Sequence, residues 1–405
     1  MLHRGESRPV LRAALTGFLV WVGYGVLRPL RDEIATADHT DVSDLWAGTF
    51  CATLLALPIY GWLAARTRRS DLIPLVYLVF AEVLLAFWAA FRAAGDAGEA
   101  RVWSDRAFYI WTSIYNLYVL SLLWSLASDT FRSEQGKRLF GLIAAGITVG
   151  QLCGSAITAF FVRSVGLAPL LLFAAATLVL AAWSARGIPT ANAALGEQEP
   201  ETRVGGAWWH GLRDLVRDPY LRSVTVYLLL FLVGSGCIYL IKTDLVGDAY
   251  ADRDDSRAFL ARIELFTNSG TLLLQLFLTG RAIPRLGIAV TLAVVPAVSL
   301  VGFSALALAP GLMMVASFEV LRRIAEFAMS KPAREVLFTA TTRQQRFQSK
   351  PVLDTLIYRG GDLLVAKGYE ALAGIGWTLG ALAACVLPFA ALGVAVARRL
   401  GRKIS

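Results

Sequence analysis

Stretches of about twenty residues with few or no ionisable side chains recur along this chain, the length an α-helix needs to cross the hydrocarbon of a bilayer. In the first half they are Ala13 to Leu30, Leu45 to Ala65, Leu72 to Phe91, Ala107 to Ser128, Leu139 to Val162 and Ser164 to Ala185. After residue 219 come Tyr220 to Ile241, Ala258 to Gly280, Leu286 to Leu308, Leu312 to Ser330, Val352 to Ala373 and Gly376 to Ala397. Twelve such runs cannot all be interior to a soluble protein. The composition agrees: 56% of the 405 residues are hydrophobic and only 17% are charged. The expected fold class is an all-α membrane protein with twelve transmembrane helices. No short apolar segment with a cleavage site precedes the first span, so that span is expected to stay in the mature chain.

Little in the chain points to chemistry on a substrate. The cysteines, Cys51, Cys153, Cys237 and Cys385, lie singly inside apolar runs, without a CxxC pair or a histidine cluster, and no metal or other cofactor is implied. His3, His39 and His210 all fall in predicted loops, and there is no GxxxxGK[ST] phosphate loop. An enzyme is not expected.

The excess of 39 Lys and Arg over 30 Asp and Glu would point to nucleic acid in a soluble protein, so the location of the charges decides their meaning. Basic residues concentrate in alternate loops, such as "RTRR" at 66–69, "KR" at 137–138 and "RRLGRK" at 398–403, whereas the intervening loops are acidic, as in "DLVGDAYADRDD". By the positive-inside rule both termini are expected to be cytoplasmic, in a bacterial inner membrane. The lipid bilayer is the expected partner of these segments, with no nucleic acid and a monomeric state.

Between the two sets of six spans runs "RGIPTANAALGEQEPETRVGGAWWHGLRDLVRDPY", which starts polar and becomes amphipathic, with Trp208, Trp209, Leu212, Leu215 and Val216 on one face. This reads as a cytoplasmic linker, 186–219, ending in an interfacial helix and separating six-helix bundles at 1–185 and 220–405. Two six-helix repeats joined this way resemble the major facilitator superfamily, a resemblance that implies a substrate site near mid-membrane between the halves. The loop "GWLAARTRRSDL" resembles that superfamily's G-x-L-A-D-R-x-G-R-R signature at Gly61, Leu63, Ala64, Arg66 and Arg69, with Ala65 in place of the acid and Arg68 in place of the second glycine. The resemblance implies a cytoplasmic gate of Arg66, Arg69, Asp71, Lys137 and Arg138. In the fifth span Gly146, Gly150 and Gly154 recur every fourth residue, which allows two backbones to approach closely.

Several spans nevertheless carry charge. "FEVLRRIAEF" holds Glu319, Arg322, Arg323 and Glu326, and at roughly 3 kcal/mol each on insertion scales they must face protein or water. Spacings of three and four place Glu319, Arg323 and Glu326 near one stripe. The eleventh span adds Asp354, Arg359 and Asp362, and the first ends in "YGVLRPLRDEIA". Arginines gathered inside a bundle favour an anionic substrate, because guanidinium binds phosphate or carboxylate bidentately.

Three stretches, "YGVLRPLRDEIA", "LWSLASDTFRSEQGKRLFGL" and "SKPAREVLFTATTRQQRFQSKPVLDTLIYRGGD", resemble segments of the non-mitochondrial ATP/ADP translocases. Tyr24, Leu27, Arg28, Arg31 and Asp32 match that family's Y-x-x-L-R-x-x-[KR]-D; Trp124, Lys137 and Arg138 match its second pattern, with Asp129 where it usually has Glu. Arg334, Glu335, Asp354, Arg359 and Gly361 match the third. Glu326 and Asp362 stand where the family has lysines, so the resemblance implies a divergent member with a less positive site.

The resulting expectation is a secondary active transporter of an organic anion, a nucleotide or other phosphorylated metabolite, working by alternating-access exchange. Arg28, Arg31, Lys242, Arg323, Arg334 and Arg359 are the expected substrate-binding cations, and Asp32, Glu82, Asp129, Glu319, Glu326, Asp354 and Asp362 the expected coupling or ion-pair acids. The alternative is a proton-coupled carrier or exporter of another solute, with Glu82, Asp129, Glu264, Glu319 or Glu326 as the proton site.

Overall fold

A computed structural model of the protein describes residues 7–37, 42–66, 69–95, 98–130, 133–186, 188, 208–275, 280–337, 349 and 352–402; of the side chains within these ranges, those at 57–72, 117, 120–121, 124–141, 208–211, 280–285, 335–336 and 354–355 are not included. The described elements are helical. In chain order they are α1 (Ser7–Ala37), α2 (Val42–Arg66), α3 (Arg69–Ala94), α4 (Glu99–Thr130), α5 (Ser133–Val165) and α6 (Leu167–Arg186), then α7 (Trp208–Arg217). They continue with α8 (Pro219–Ala249), α9 (Arg253–Leu274), α10 (Gly280–Leu308), α11 (Leu312–Ala325), α12 (Lys331–Leu337), α13 (Tyr358–Gly374), α14 (Leu379–Cys385) and α15 (Leu387–Arg402). The described part of each expected span lies largely on these helices or on helical turns continuous with them, and residues 276–279 of the expected eighth span lie outside the described residues. Among the described residues, seven stretches are long and apolar enough to cross a membrane unaided: α1, α3, α5, α6, α8, α10 and α14 with α15. Large apolar side chains such as Trp183, Phe160, Val301 and Leu364 lie more than two thirds exposed, as a lipid-facing surface requires.

The helices fall into two compact units. One comprises Met1–Asp38, Cys51–Pro200 and Tyr250–Leu265; the other comprises His39–Phe50, Glu201–Ala249 and Phe266–Ser405. In the first unit α1 packs along α5 and α6, and α3 along α6. The glycine series explains the closeness of α1 and α5. A Cβ on Gly146 would stand 2.6 Å from the Ala14 carbonyl oxygen, and those on Gly150 and Gly154 would meet the Phe18 and Val22 carbonyls at least as closely. The contacts advance by four residues on both helices, so the bare glycine row receives the α1 backbone one turn at a time.

In the second unit α10 packs along α15, and α8 packs against α13 and α15. Its apolar core includes Leu221, Tyr227, Phe231, Leu292, Val295 and Leu400. Leu215 of α7 is buried in it and Leu212 packs against it, whereas Val216 of the same expected face is 63% exposed. Helix starts follow the local sequence. The Asp218 carboxylate accepts hydrogen bonds from the backbone N–H groups of Tyr220 and Leu221, with Pro219 in the first helical position. Asp252 does the same for Asp254 and Asp255 at the start of α9. Two π turns, Glu326–Ser330 and Leu353–Ile357, interrupt the last charged spans, so α11 and α12 form one span with an extra residue in its middle.

Gly154→Leu is expected to lower stability by about 2 kcal/mol or more, because the α1 backbone cannot yield to a side chain. Gly95→Ala, at a turn with open space around it but a positive φ of 68°, should cost about 1 kcal/mol. Thermal unfolding in detergent checks the order; a smaller shift for Gly154→Leu than for Gly95→Ala would contradict the packing account.

Candidate functional site

The charged end of α1 is bound into a network inside the first unit. α1 stays helical past Pro29, although that residue lacks a backbone donor and disfavours an interior helical position, and the next turn carries Arg31, Asp32 and Glu33. Arg28 Nη1 stands 3.3 Å from Glu264 Oε2, and its Nε stands 4.0 Å from Asp32 Oδ2 without a hydrogen-bond partner. Arg31 donates to Asp32 Oδ1 at 2.7 Å and lies over the Tyr109 ring. Asp32 and Glu33 are therefore buried in ion pairs.

Glu33 is the hub. Its Oε1 accepts from Arg253 Nε, and its Oε2 accepts from Arg257, at 3.0 Å from Nε and 2.9 Å from Nη2, and from Arg253 Nη2 at 3.3 Å. Arg253 also reaches Asp105 at 2.9 Å, and Asp105 accepts from Arg101 at 3.0 Å. Burial alone would lower the pKa of Arg253, but Glu33 and Asp105 outweigh it and hold the guanidinium above its ordinary range. The Asp252 cap places Arg253 and Arg257 one turn apart on the first turns of α9, facing the same carboxylate. A one-turn spacing of arginines just before the expected eighth span is the sequence signal for this hub.

In the second unit α8 and α11 bring Lys242 and Glu319 together. Lys242 Nζ donates to Glu319 Oε1 at 3.1 Å, and Arg323 Nη1 stands 3.8 Å from the same oxygen. All three side chains are at least nine-tenths buried, so two cations share one carboxylate away from bulk water. Glu319 Oε2 is buried with no hydrogen-bond partner. The neighbouring pairs are Arg334 with Glu326 at 3.4 Å and Arg359 with Asp362 at 3.8 Å. The π turn starts at Glu326, which pairs with Arg334 of α12 and not with Arg323 on the expected stripe.

Arg322 was not among the expected site residues, yet it is the largest fully buried side chain of the described residues. It donates to Ser299 Oγ at 3.1 Å and to the Phe231 carbonyl at 3.2 Å, and stacks over the Phe231 ring; no carboxylate among the described residues pairs with it. A cavity of about 10 Å³, enough for one water, lies beside it between Tyr227, Gly234, Ser299 and Val386.

Glu82 lies on an exposed face of α3, in neither cluster. The side chains of Asp129 and Asp354, and those of Arg66, Arg69, Asp71, Lys137 and Arg138, lie outside the described ones.

No family model matches the chain. Among curated proteins it is 20% identical to "ADP,ATP carrier protein 2" of Chlamydia pneumoniae over 498 residues, covering 99% of this chain and 90% of that one. It is 24% identical to "ADP,ATP carrier protein 1" of the same organism over 453 residues, covering 92% and 86%. Among solved structures, that of the nucleoside transporter NupG matches with a TM-score of 0.69 at 13% identity, over 97% of this chain and 98% of that one. The chain has the major facilitator fold. The inward-open xylose transporter XylE from E. coli shares it, with a TM-score of 0.66 at 12% identity over 96% and 94%. The likeness to the ATP/ADP translocases read from three stretches thus extends over nearly the whole sequence.

Glu33→Ala is expected to cost about 3 kcal/mol of stability, because it leaves the buried guanidinium of Arg257 with only the part-exposed Asp254 and weakens the hold on Arg253. Asp254→Ala removes only a part-exposed partner of Arg257 and should cost under about 1 kcal/mol. Comparing the two apparent melting temperatures checks this; a loss at Asp254 as large as that at Glu33 would contradict the hub.

Proposed function

We propose that this protein is a secondary transporter of the major facilitator type that exchanges small organic anions of low charge, phosphorylated metabolites or nucleotides, across a bacterial inner membrane, with both termini in the cytoplasm. The observation that carries the reading is the sharing of Glu319 by Lys242 and Arg323 in a buried setting. Both cations already share this acid, so a substrate's anionic group that displaced Glu319 would meet an ammonium and a guanidinium together. Arg334, Arg359, Arg28 and Arg31 each already face a protein acid, so they add position and little net charge.

Exchange follows from the same competition. When substrate leaves, Glu319 must return to Lys242 and Arg323 before the empty protein changes conformation, because buried cations separated from their acid raise that cost. Binding of a second anion lowers that cost, so turnover is coupled to return with cargo. The names of the relatives, ADP,ATP carriers, support the anion class. Glu326 and Asp362, which hold Arg334 and Arg359, reduce the charge such a substrate can carry.

Proton coupling is the second reading, and the unpartnered Glu319 Oε2 is the observation in its favour, since a proton there would need no new partner to be displaced. Proton uptake measured together with anion uptake in proteoliposomes separates the two.

Mono- or dianionic phosphorylated solutes are expected to outcompete ATP for the wild-type protein. Glu326→Lys combined with Asp362→Lys should shift preference toward ATP by about tenfold or more, the effect of roughly 1.4 kcal/mol. Competition binding checks both; ATP binding most tightly to the wild type would contradict the charge argument.

A further inference from the structure

The carboxyl of Glu82 is unexplained by either charged cluster. It stands near the middle of Ile73–Ala94, one of the stretches able to cross a membrane, so it is roughly 14 Å from one end of that span and roughly 18 Å from the other. Its own face of α3 is exposed and consists of Leu75, Val79, Glu82, Ala86, Ala89 and Ala93, spaced by alternating steps of four and three. The opposite face, including Tyr77, Ala81 and Leu84, is buried, and α3 packs against α4 and α6. Glu82 makes no hydrogen bond or ion pair among the described residues. Its exposed neighbours are apolar, as at a lipid-facing surface and unlike a water-filled passage. A carboxyl facing hydrocarbon at mid-depth is costly, and no lipid headgroup reaches that depth to serve it.

We propose that this face of α3 is the contact surface of a homodimer in the membrane, with Glu82 hydrogen-bonded to Glu82 of a second copy. The argument is one of depth. A two-fold axis along the membrane normal sets each residue at the same depth as its own copy, so a second copy necessarily brings a hydrogen-bonding group to the level of Glu82. One carboxyl donates its proton and the other accepts. Ala86, Ala89 and Ala93 continue the face with small side chains, which let two parallel helices approach until the carboxyls meet. This replaces the monomer expected from the sequence, and it is independent of what the protein transports.

The test uses the full-length protein in membrane vesicles, with Cys51, Cys153, Cys237 and Cys385 replaced by alanine. Single cysteines at Ala86 or Ala89 are treated with a short bis-maleimide; Phe160→Cys, on an exposed position of α5, serves as the control. A covalent dimer is expected from Ala86→Cys and Ala89→Cys and not from Phe160→Cys. Adding Glu82→Leu should reduce the dimer by about tenfold, the effect of losing one interhelical hydrogen bond in a bilayer, whereas Glu82→Gln should retain it through its amide. Thermal unfolding of each variant confirms that it is folded, and the Gln variant keeps the test decisive if the Leu variant is not. Absence of a dimer at both positions, cross-linking only to a different protein, equal cross-linking at Phe160, loss of the dimer in Glu82→Gln, or a dimer unaffected by Glu82→Leu in folded protein would each overturn the proposal.

Discussion

A charge buried in a membrane protein must find an opposite charge or a set of dipoles, and much of this structure is arranged around that requirement. Transfer of one ionised side chain to mid-bilayer costs roughly 3 kcal/mol on insertion scales, so an unanswered cluster would offset much of what apolar burial contributes. The end of α1 meets the requirement by enclosing Glu33 between two arginines of α9. On α11, Glu319 lies between Lys242 and Arg323. Arg322 is held differently, by a hydroxyl, a carbonyl and an aromatic face. The contrast separates roles. An arginine held by dipoles has no anion to release and fixes the packing of α8, α10 and α11, whereas a cation held by a carboxylate can trade it for a ligand.

That trade links structure to transport. In the proposed cycle the protein's own acids occupy the cations while substrate is absent, and the substrate's anionic group relieves the shared carboxylate when it binds. Affinity then depends on the difference between two anions competing for the same cations, which keeps binding modest and release fast. The acids at 326 and 362, where translocases carry lysines, move this balance toward substrates of lower charge.

The spans were legible because an uncharged run of the right length is a property of the chain taken one residue at a time. The close approach of α1 and α5 was legible as well, since Gly146, Gly150 and Gly154 announce it by spacing. Pairing was legible only where both partners share a helix, as with Glu319 and Arg323. Lys242 meets an acid 77 residues away and Glu33 an arginine 220 residues away, and no spacing rule connects them. Glu326 keeps its helical register with Arg322 and Arg323, its N–H still reaching their carbonyls, but the π turn that begins there shifts the residues after it, and its ion pair is with Arg334 of the following helix. Glu82 was read as a coupling acid from its type and mid-span position, but which face of α3 it occupies depends on where α4 and α6 pack.

The central claim is that Glu319 holds the place of the substrate's anionic group. Isothermal titration of purified protein with inorganic phosphate and with a phosphomonoester, comparing wild type with Glu319→Gln, tests it most directly. The amide keeps the shape and removes the competing charge, so the account predicts affinity tightened by about tenfold or more. Weaker or unchanged binding in a folded Glu319→Gln protein would contradict it.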